Sequence, residues 1–418
     1  MSDVLRVLAI CTEDPELLLG GMGRHVRELY RHMSQRDDVK IDLLTMGPGP
    51  LTKEYDGYNK HRFAHLVPQK PPMPGLRSVL QSDLQMMRTM LALIAEGHRW
   101  DVIHAHEWSS VQVAQTIRDA LKIPIVSTMH LCMKALRVYD RPMGWKQEGE
   151  ETWDEMDLWV YNQEGKLLIE NSELILCSEA YVRIAKETYP LSVVGKEPNM
   201  IYNGISLEEW YPGAGNKELA REKHQVKTFR PVALFVGRIA TMKGIEYLLK
   251  AINDRDVDWQ IVIAGEVNAD TGAEDWYVTK ALRRAERQFP ERVRWIGFQR
   301  DQDLKDMYEL ADAVIMPSTH EPFGIVALEA MAMGTPLIAT DKDGLGEIVR
   351  SNDETFAEII PARSSDAVNA ALVKLRPEKA RADLRARGLR RARDFGWTEI
   401  AERTVGVYHK AVNSCMPH

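Results

Sequence analysis

Short apolar runs alternate with stretches of helical spacing along the whole chain. The runs at 4–11, 40–46, 100–106 and 123–130 are short and largely apolar, as in parallel strands that are buried on both faces. Stretches with apolar residues three and four positions apart separate them, the longest at 76–96. A repeated strand–helix order of this kind predicts an α/β fold built on parallel sheets.

A polar stretch at 206–230, with one proline and two glycines near its start, interrupts this alternation. A new apolar run then begins at 232. Since 418 residues exceed what one ordinary core accommodates, two domains are expected. We predict two Rossmann-like domains, at 1–205 and 231–395, that are joined by a linker at 206–230.

Composition excludes several classes of protein. A hydrophobic content of 44% and a charged content of 28% are those of a globular protein, and a net charge of −7 argues against nucleic acid as the main partner. The four cysteines are widely spaced and form no CxxC pair, which favours reduced thiols and a cytoplasmic protein. We find neither a signal-peptide layout nor an apolar run of the ~18 residues that a membrane-spanning helix needs.

The stretch 316–340 carries the densest candidate chemistry. A strand end leads into a loop with Glu321, Phe323 and Gly324, and an apolar helix with Glu329 follows. A carboxylate on an apolar helix is costly to bury without partners, and the amides at a helix start bind anionic oxygens. We interpret the stretch as a site for a polyol phosphate; the alternative is a loop acid and a solvated helix acid.

Two cations flank another strand-to-helix turn. Arg238 follows the apolar run at 232–236, and Lys243 precedes the helical run that begins at 245. Two cations beside a helix start can hold a diphosphate, whereas the alternative is ordinary surface charge. A glycine loop at 343–347, which also enters a helical run, is a further candidate for a phosphate or sugar contact.

In the first half, a glycine cluster at 20–23 lies between a strand and a helix, where backbone can approach a phosphate or sugar; a tight turn without a ligand is the alternative. Histidines lie at the ends of two predicted strands: His104, His106 and His130. Ligands gather at the carboxyl ends of parallel strands, which favours a functional role; the alternative is that each histidine is a satisfied structural residue. Zinc bound by the three histidines is an alternative, but no carboxylate or cysteine completes a familiar spacing, so we expect no metal.

Taken together, these motifs resemble the retaining, sugar-nucleotide-dependent glycosyltransferases of the GT-B fold. The resemblance is strongest to glycosyltransferase family 4, with some likeness to glycogen and starch synthases. The segments that carry it are GRIATMKG, HEPFGIVALEAMAMGTPLIAT, GGMGRHVREL, HAHEW and STMH. The segment at 396–412 resembles the family's last helix, which packs back on the first domain. The resemblance implies two Rossmann-like domains with a cleft between them.

The resemblance also implies roles for individual residues. It assigns catalysis to His130, Glu321, Arg238 and Lys243. It assigns binding of the nucleotide sugar to Gly23, Arg238, Lys243, Gly297, Glu321, Phe323, Gly324, Ile325 and Glu329. In this scheme the two cations bind the diphosphate, the helix acid binds the ribose, and the loop acid with the amides after it holds the sugar hydroxyls.

We therefore predict a retaining hexosyltransferase that moves glucose or N-acetylglucosamine, for instance from UDP-glucose, to an acceptor hydroxyl. The alternatives are an ADP- or UDP-glucose-dependent glucan synthase, an epimerase of the same fold, and a non-catalytic protein that has kept the fold. We expect no metal cofactor and no partner besides donor and acceptor, in a monomer or homo-oligomer. The loops at 47–75 and 132–160 would select the acceptor.

Overall fold

The computed structural model describes residues 4–17, 20–64, 76–139, 155–189, 197–227, 229–252, 258–267 and 273–415. These residues form two compact units. The first contains the described residues up to 139, those from 155 to 203 and those from 397 onward, and the second contains those from 204 to 396. Each unit is an α/β structure, which confirms the predicted fold class.

The first unit is built on a sheet with the strand order β3-β4-β2-β1-β5-β6-β7-β8 among its described residues. All neighbouring strands are parallel except β3 and β4. The strands are β1 (Leu5–Ile10), β2 (Val39–Gly47), β3 (Leu51–Tyr55), β4 (Tyr58–Ala64), β5 (Val102–His106), β6 (Ile125–Met129), β7 (Glu173–Leu176) and β8 (Asn199–Met200). The helices between them are α1 (Gly21–Met33), α2 (Leu76–Ala95), α3 (Val111–Leu121), α4 (Met133–Tyr139), α5 (Glu155–Ile169) and α6 (Glu179–Thr188).

Local signals explain several of these boundaries. Ser178 caps α6, as its position before a helical run predicts, because its hydroxyl accepts a hydrogen bond from the Tyr181 amide at 3.1 Å. One feature of the sheet was not predicted: β3 and β4 form a hairpin where we expected a loop. Asp56 and Gly57 join the two strands with positive φ values of 47° and 84°, the Asp-Gly turn that favours a two-residue hairpin. The edge strand expected near 65–67 lies outside the described residues.

The second unit is built on a parallel sheet of order β11-β10-β9-β12-β13-β16. Its strands are β9 (Val232–Val236), β10 (Gln260–Ala264), β11 (Val293–Gly297), β12 (Ala313–Met316), β13 (Leu337–Ala339) and β16 (Glu358–Ile359), with a separate antiparallel pair of β14 (Arg350–Ser351) and β15 (Glu354–Thr355). Its helices are α7 (Lys217–His224), α8 (Ile245–Ala251), α9 (Ala273–Gln288), α10 (Asp301–Leu310), α11 (Ile325–Ala332), α12 (Asp343–Val349), α13 (Ser365–Lys374) and α14 (Glu378–Ala392).

The segment 206–230, which we predicted to be a linker, is an ordered part of the second unit where it is described. It contains α7, whose first turn is capped by the Asn216 side chain. The backbone amide of Asn216 also donates a hydrogen bond to the Asp306 Oδ1 on α10 at 2.8 Å. The polar composition of this segment is therefore that of a helix with a solvated face. The contacts that hold this helix in place come from a distant part of the chain, and the sequence pattern does not show them.

The last helix, α15 (Trp397–Cys415), belongs to the first unit. Its apolar face, which includes Trp397, Ile400 and Tyr408, packs into the same core as Tyr30 of α1 and the start of β1. None of the helices in the described ranges combines the length and the apolar character needed to cross a bilayer.

Candidate functional site

In the second unit, the strand order reverses between β9 and β12. The next two strands in the chain, β10 and β11, lie on one side of β9, whereas β12 and β13 lie on the other. Loops that leave the carboxyl ends of two such strands diverge and open a crevice, where open α/β sheets bind ligands. Arg238 and Lys243 follow β9, and Glu321 follows β12. The topology therefore brings three of the four predicted catalytic residues to one sheet edge.

Lys243 and Glu321 meet there directly. The Lys243 Nζ lies 2.7 Å from the Glu321 Oε2, with 19% of the lysine side chain and 8% of the glutamate side chain exposed. Ser318 also donates its hydroxyl to the same oxygen at 3.4 Å. An ion pair at the rim of a crevice leaves the other donor positions of the ammonium available to an anionic ligand.

The backbone brings Lys243 to this position through a close approach. Gly244, which ends the short 3₁₀ turn Thr241–Lys243, has φ 66°. A Cβ at this residue would lie 1.9 Å from the Pro317 carbonyl oxygen at the end of β12. Only glycine fits there, so the loop after β9 packs directly on the loop after β12.

Three contacts hold the loop that carries Glu321. Asp343 at the start of α12 accepts a hydrogen bond from the Glu321 amide at 3.0 Å and contacts the His320 Nδ1 at 2.7 Å. The Thr319 amide donates to the Met242 carbonyl at 2.8 Å. The loop at 343–347, which was predicted to contact a phosphate or sugar, therefore also has a supporting role. Its first residue, Asp343, fixes the loop that carries Glu321.

The start of α11 follows immediately. Gly324 has φ 104° and precedes the first helical residue, Ile325. Phe323 is buried against Phe395, with ring centroids 6.1 Å apart. The first amides of a helix have no partner within it, so those that follow Gly324 are suited to bind ligand oxygens beside Glu321.

The other predicted donor contacts lie around this edge. Glu329 lies within α11, is fully buried and accepts a hydrogen bond from the Tyr308 hydroxyl at 2.6 Å. Arg238 is partly buried and its Nη2 lies 3.6 Å from the Met242 sulfur. Gly297 ends β11, two strands away from β9, with φ 70°. Their roles in binding the ribose, the diphosphate and the base stay predictions.

In the first unit, a buried network of aromatic side chains contains all three predicted histidines. The Tyr30 hydroxyl lies 2.9 Å from the His104 Nδ1 and 2.6 Å from the His106 Nε2. The His106 Nδ1 lies 3.0 Å from the His130 Nε2, and the Tyr408 hydroxyl lies 2.6 Å from the His104 Nδ1. The network therefore connects α15, α1 and the ends of β5 and β6, with the half-buried His130 at its end.

A fourth histidine, which the sequence did not indicate, joins this network. His25 on α1 packs edge-on against His130, with ring centroids 4.6 Å apart, and its Nδ1 lies 2.7 Å from the Asn203 Oδ1. No hydrogen-bond partner for its Nε2 is found in the described part of the chain. Burial lowers the pKa of His25 to about 4 and the pKa of His130 well below its usual range. These rings are therefore neutral at neutral pH.

The three predicted histidines do not converge on one point as a zinc site requires. Within this network, the histidines with ligand atoms close enough to share an ion are His25, His106 and His130. However, His106 and His130 already contact each other at 3.0 Å, and the second nitrogen of His106 contacts Tyr30. The expectation of a metal-free reaction therefore stays a prediction.

A buried acid positions His130. Glu107, which directly follows β5, accepts hydrogen bonds from the backbone amides of His130 at 2.5 Å and Leu131 at 2.7 Å. Its φ of 66° is rare for a residue with a side chain. Burial, and then the charge of Glu164, raise the pKa of Glu107 to about 8. From the HAHEW segment we predicted a functional role only for the histidines. The role of Glu107 could not be predicted there, because it acts on amides that follow the next strand, β6.

Gly23 lies in the first turn of α1, because this helix begins at Gly21, three residues before the helical run that we predicted to follow the glycine cluster. Its amide donates to the Glu13 Oε2 at 2.7 Å, and a Cβ at this residue would lie 3.1 Å from the same oxygen. A carboxylate thus contacts the amide that was predicted to face a phosphate, and the role of Gly23 in donor binding stays a prediction.

Residues 19–209 match the family described as Glycosyltransferase Family 4, and residues 216–391 match the family described as Glycosyl transferases group 1. The chain is therefore a glycosyltransferase of the GT-B type that is similar to family 4. This glycosyltransferase is 28% identical to a glycogen synthase of Mycobacterium tuberculosis, over 97% of its own length and 94% of that protein. It is also 28% identical to an alpha-maltose-1-phosphate synthase of Mycolicibacterium smegmatis, over 97% and 99% of the two chains.

Among solved structures, the glycosyltransferase resembles a sucrose-phosphate synthase of Thermosynechococcus elongatus with a TM-score of 0.78 and 23% identity. The match covers 98% of this chain and 100% of the other. It confirms the fold, with its two Rossmann-like domains. The family assignment also establishes the general activity, which is transfer of a sugar from a nucleotide-sugar donor.

Proposed function

We propose that the glycosyltransferase moves a hexose, glucose or N-acetylglucosamine, from a nucleoside diphosphate to an acceptor hydroxyl with retention of configuration. The observation that carries this proposal is the Lys243–Glu321 pair, 2.7 Å apart at the edge where β9 and β12 end. A fixed cation and a fixed acid in contact provide for both parts of a nucleotide sugar: the anionic diphosphate and the polyol.

The diphosphate binds Lys243 and Arg238. When the donor enters, the Lys243 ammonium turns toward the phosphate oxygens while it keeps Glu321 as a neighbour. Both cations then face the oxygen that gains negative charge as the sugar leaves. Fixed charge aimed at such an oxygen stabilises the transition state more than the ground state, which is the condition for catalysis.

The sugar hydroxyls bind Glu321 and the amides after Gly324. The Glu321 carboxylate, which Asp343 and His320 hold in place through the backbone, accepts hydrogen bonds from two neighbouring hydroxyls. It acts as a binding group and not as a nucleophile. His130 is a further residue that we propose to act in catalysis; its ring is neutral, and Glu107 fixes its backbone.

In the reaction, the bond from the sugar C1 to the diphosphate oxygen breaks, and the acceptor oxygen forms its bond to C1 on the same face. The acceptor proton passes to the departing diphosphate, so that atoms and charges balance without a protein base. We propose that no divalent metal takes part, because Arg238 and Lys243 neutralise the diphosphate. Transfer rates that are unchanged by EDTA are the expected result.

A specific observation favours one second candidate, a glucan synthase. Relatives over nearly the whole chain carry the names glycogen synthase and alpha-maltose-1-phosphate synthase. The loops proposed to select the acceptor include 65–75 and 140–154, which lie outside the described residues. The reaction products therefore decide between the two candidates. The cytoplasmic location that we predicted from the sequence stays a prediction.

The test is a panel of UDP- and ADP-sugars with and without acceptors, with the anomeric configuration of the product determined by NMR. Retention with a small-molecule acceptor supports the proposal, and elongation of maltooligosaccharides supports the glucan synthase. An inverted product contradicts both. Conversion of the donor to a different sugar without any acceptor indicates an epimerase, and no turnover of any donor indicates a binding protein.

A further inference from the structure

Away from both sites, the first unit holds a second cluster of metal-ligating side chains. Asp42 on β2, His61 on β4 and His98 in the turn after α2 each offer one ligand atom, and these atoms lie within 4.8 Å of one another. The three residues come from three separate elements, and β2 and β4 are neighbouring strands of the sheet. The topology alone brings them together.

The distances within this cluster are too long for good hydrogen bonds. The His61 Nε2 lies 3.5 Å from the Asp42 Oδ1, and the His98 Nδ1 lies 3.4 Å from the Asp42 Oδ2. A strong contact to a carboxylate would be about 2.7–2.9 Å. In a tetrahedral zinc site with bonds of about 2.0–2.1 Å, however, ligand atoms lie about 3.3 Å apart. Both observed separations are close to that value, with the two histidine nitrogens facing different oxygens of the Asp42 carboxylate.

The His61 Nε2 is unsatisfied without an ion. His61 is 2% exposed, and no hydrogen-bond partner for its Nε2 is found among the described residues. A buried polar atom without a partner is costly, so each such case calls for an explanation. A cation between this nitrogen, Asp42 and His98 supplies the missing partner.

The surrounding side chains orient the ligands, as outer groups do in metal sites. The Asp42 Oδ1 accepts from the Asn59 amide at 2.8 Å, and the Asp42 Oδ2 accepts from the Trp100 indole at 2.7 Å. The other ring nitrogen of His61 faces the Thr52 hydroxyl at 3.3 Å. The His98 ring stacks on Trp100 with a centroid distance of 6.0 Å.

We propose that Asp42, His61 and His98 bind one divalent cation, and that its chemistry favours zinc. Two imidazoles and one carboxylate suit zinc better than magnesium or calcium, which prefer oxygen ligands alone. Because 32% of the His98 side chain is exposed, solvent can supply the fourth ligand. The ion ties two strands near the edge of the sheet to the turn after α2, so it stabilises the unit and takes no part in sugar transfer.

The test uses the full chain with the exposed Cys415 replaced by serine, because an exposed thiol binds zinc by itself. After treatment with EDTA and dialysis, zinc is titrated by calorimetry, and the bound metal is counted by elemental analysis. We expect one tightly bound equivalent and a rise of Tm by a few degrees, since an ion that binds only the folded state stabilises it. Cobalt in place of zinc should show the strong visible absorption of a tetrahedral site.

Two variants identify the ligands. Both His98→Ala and Asp42→Asn should weaken zinc binding by about 100-fold or more and abolish the zinc-dependent rise of Tm. His409→Ala, which removes an exposed histidine of α15, is the matched control and should bind zinc as the parent does. Asp42→Asn preserves the shape of the side chain, so it tests the site even if His98→Ala folds poorly.

Two outcomes overturn the proposal. One is a parent protein that binds no zinc more tightly than His98→Ala and Asp42→Asn do. The other is a tightly bound equivalent that survives both substitutions but is lost in His25→Ala, because this result would place the ion in the buried histidine network.

Discussion

The two units reverse their strand order in the same way but place different chemistry at the point of reversal. In the second unit, Lys243 and Glu321 form a partly exposed ion pair beside a helix start. In the first unit, the corresponding strands β1 and β5 lead to buried rings that burial keeps neutral, among them His104 and His106. The same topology therefore carries a partly exposed pair of charged side chains in one unit and a buried network of neutral rings in the other.

The largest expected effect concerns the charged site. Lys243→Ala should lower kcat by about 100-fold or more, because it removes a fixed charge that faces the departing diphosphate. Lys250→Ala is the matched control, since that lysine is also in the second unit but contacts only Glu246 on its own helix among the acids described. Equal rates for the two variants in steady-state assays would remove Lys243 from the diphosphate site.

The second-largest effect concerns the close backbone approach that positions Lys243 in the second unit. Gly244→Ala should lower the free energy of unfolding by about 2 kcal/mol or more, because its Cβ would lie 1.9 Å from the Pro317 carbonyl oxygen. Gly213→Ala is the control, since Gly213 also has a positive φ but meets nothing within 4 Å. Denaturant unfolding should show a clearly larger loss for Gly244→Ala, and equal losses would mean that the approach is easily relaxed.

The neutral network predicts a smaller change in rate. His130→Ala should lower kcat by about 10-fold or more while Tm changes little, because the ring lies at the half-buried end of the network. His409→Ala on the surface of α15 is the control. A His130→Ala protein that melts many degrees lower but keeps its specific activity would make this residue structural.

The smallest effect is the dependence of stability on pH. Since the pKa of Glu107 is raised to about 8, the folded protein keeps a proton that the unfolded chain loses above its ordinary value of about 4.5. The contribution of this group to stability is present below that value and is lost as pH rises toward 8. Glu107→Gln accepts the same two amide hydrogen bonds without a charge.

The comparison of Glu107→Gln with the parent isolates that contribution. The free energy of unfolding of the parent, measured by denaturant titration, should fall relative to the variant by more than about 1 kcal/mol between pH 5 and pH 8. Parallel curves over this range would show that Glu107 is ionised throughout.

The sequence predicted most of the fold because the strands of both units are short apolar runs between amphipathic helices. It also predicted the cations and acids of the second unit, since Arg238, Lys243 and Glu321 each follow a recognisable strand. A strand-end position is a local signal, and parallel strands place their carboxyl ends at one edge. Local patterns are therefore sufficient to bring these three residues to one edge of the sheet.

The rest depends on contacts between distant parts of the chain. His25 lies inside α1, where no strand end marks it. Its ring reaches the network because α1 packs beside α15, which brings His25 against Trp397 and His130. Glu107 acts on the backbone of His130, 23 residues later. The segment 206–230 looked like a linker because the acid that binds Asn216 comes from α10, 90 residues away.

The central claim is that the second unit binds the diphosphate of the donor through Lys243 and Arg238, and calorimetric titration with UDP, ADP and their glucose derivatives tests it most directly. We predict that the parent and Lys250→Ala bind at least one diphosphate and its sugar derivative, and that Lys243→Ala and Arg238→Ala each weaken both by about 10-fold or more. Unchanged dissociation constants in Lys243→Ala and Arg238→Ala would contradict the account.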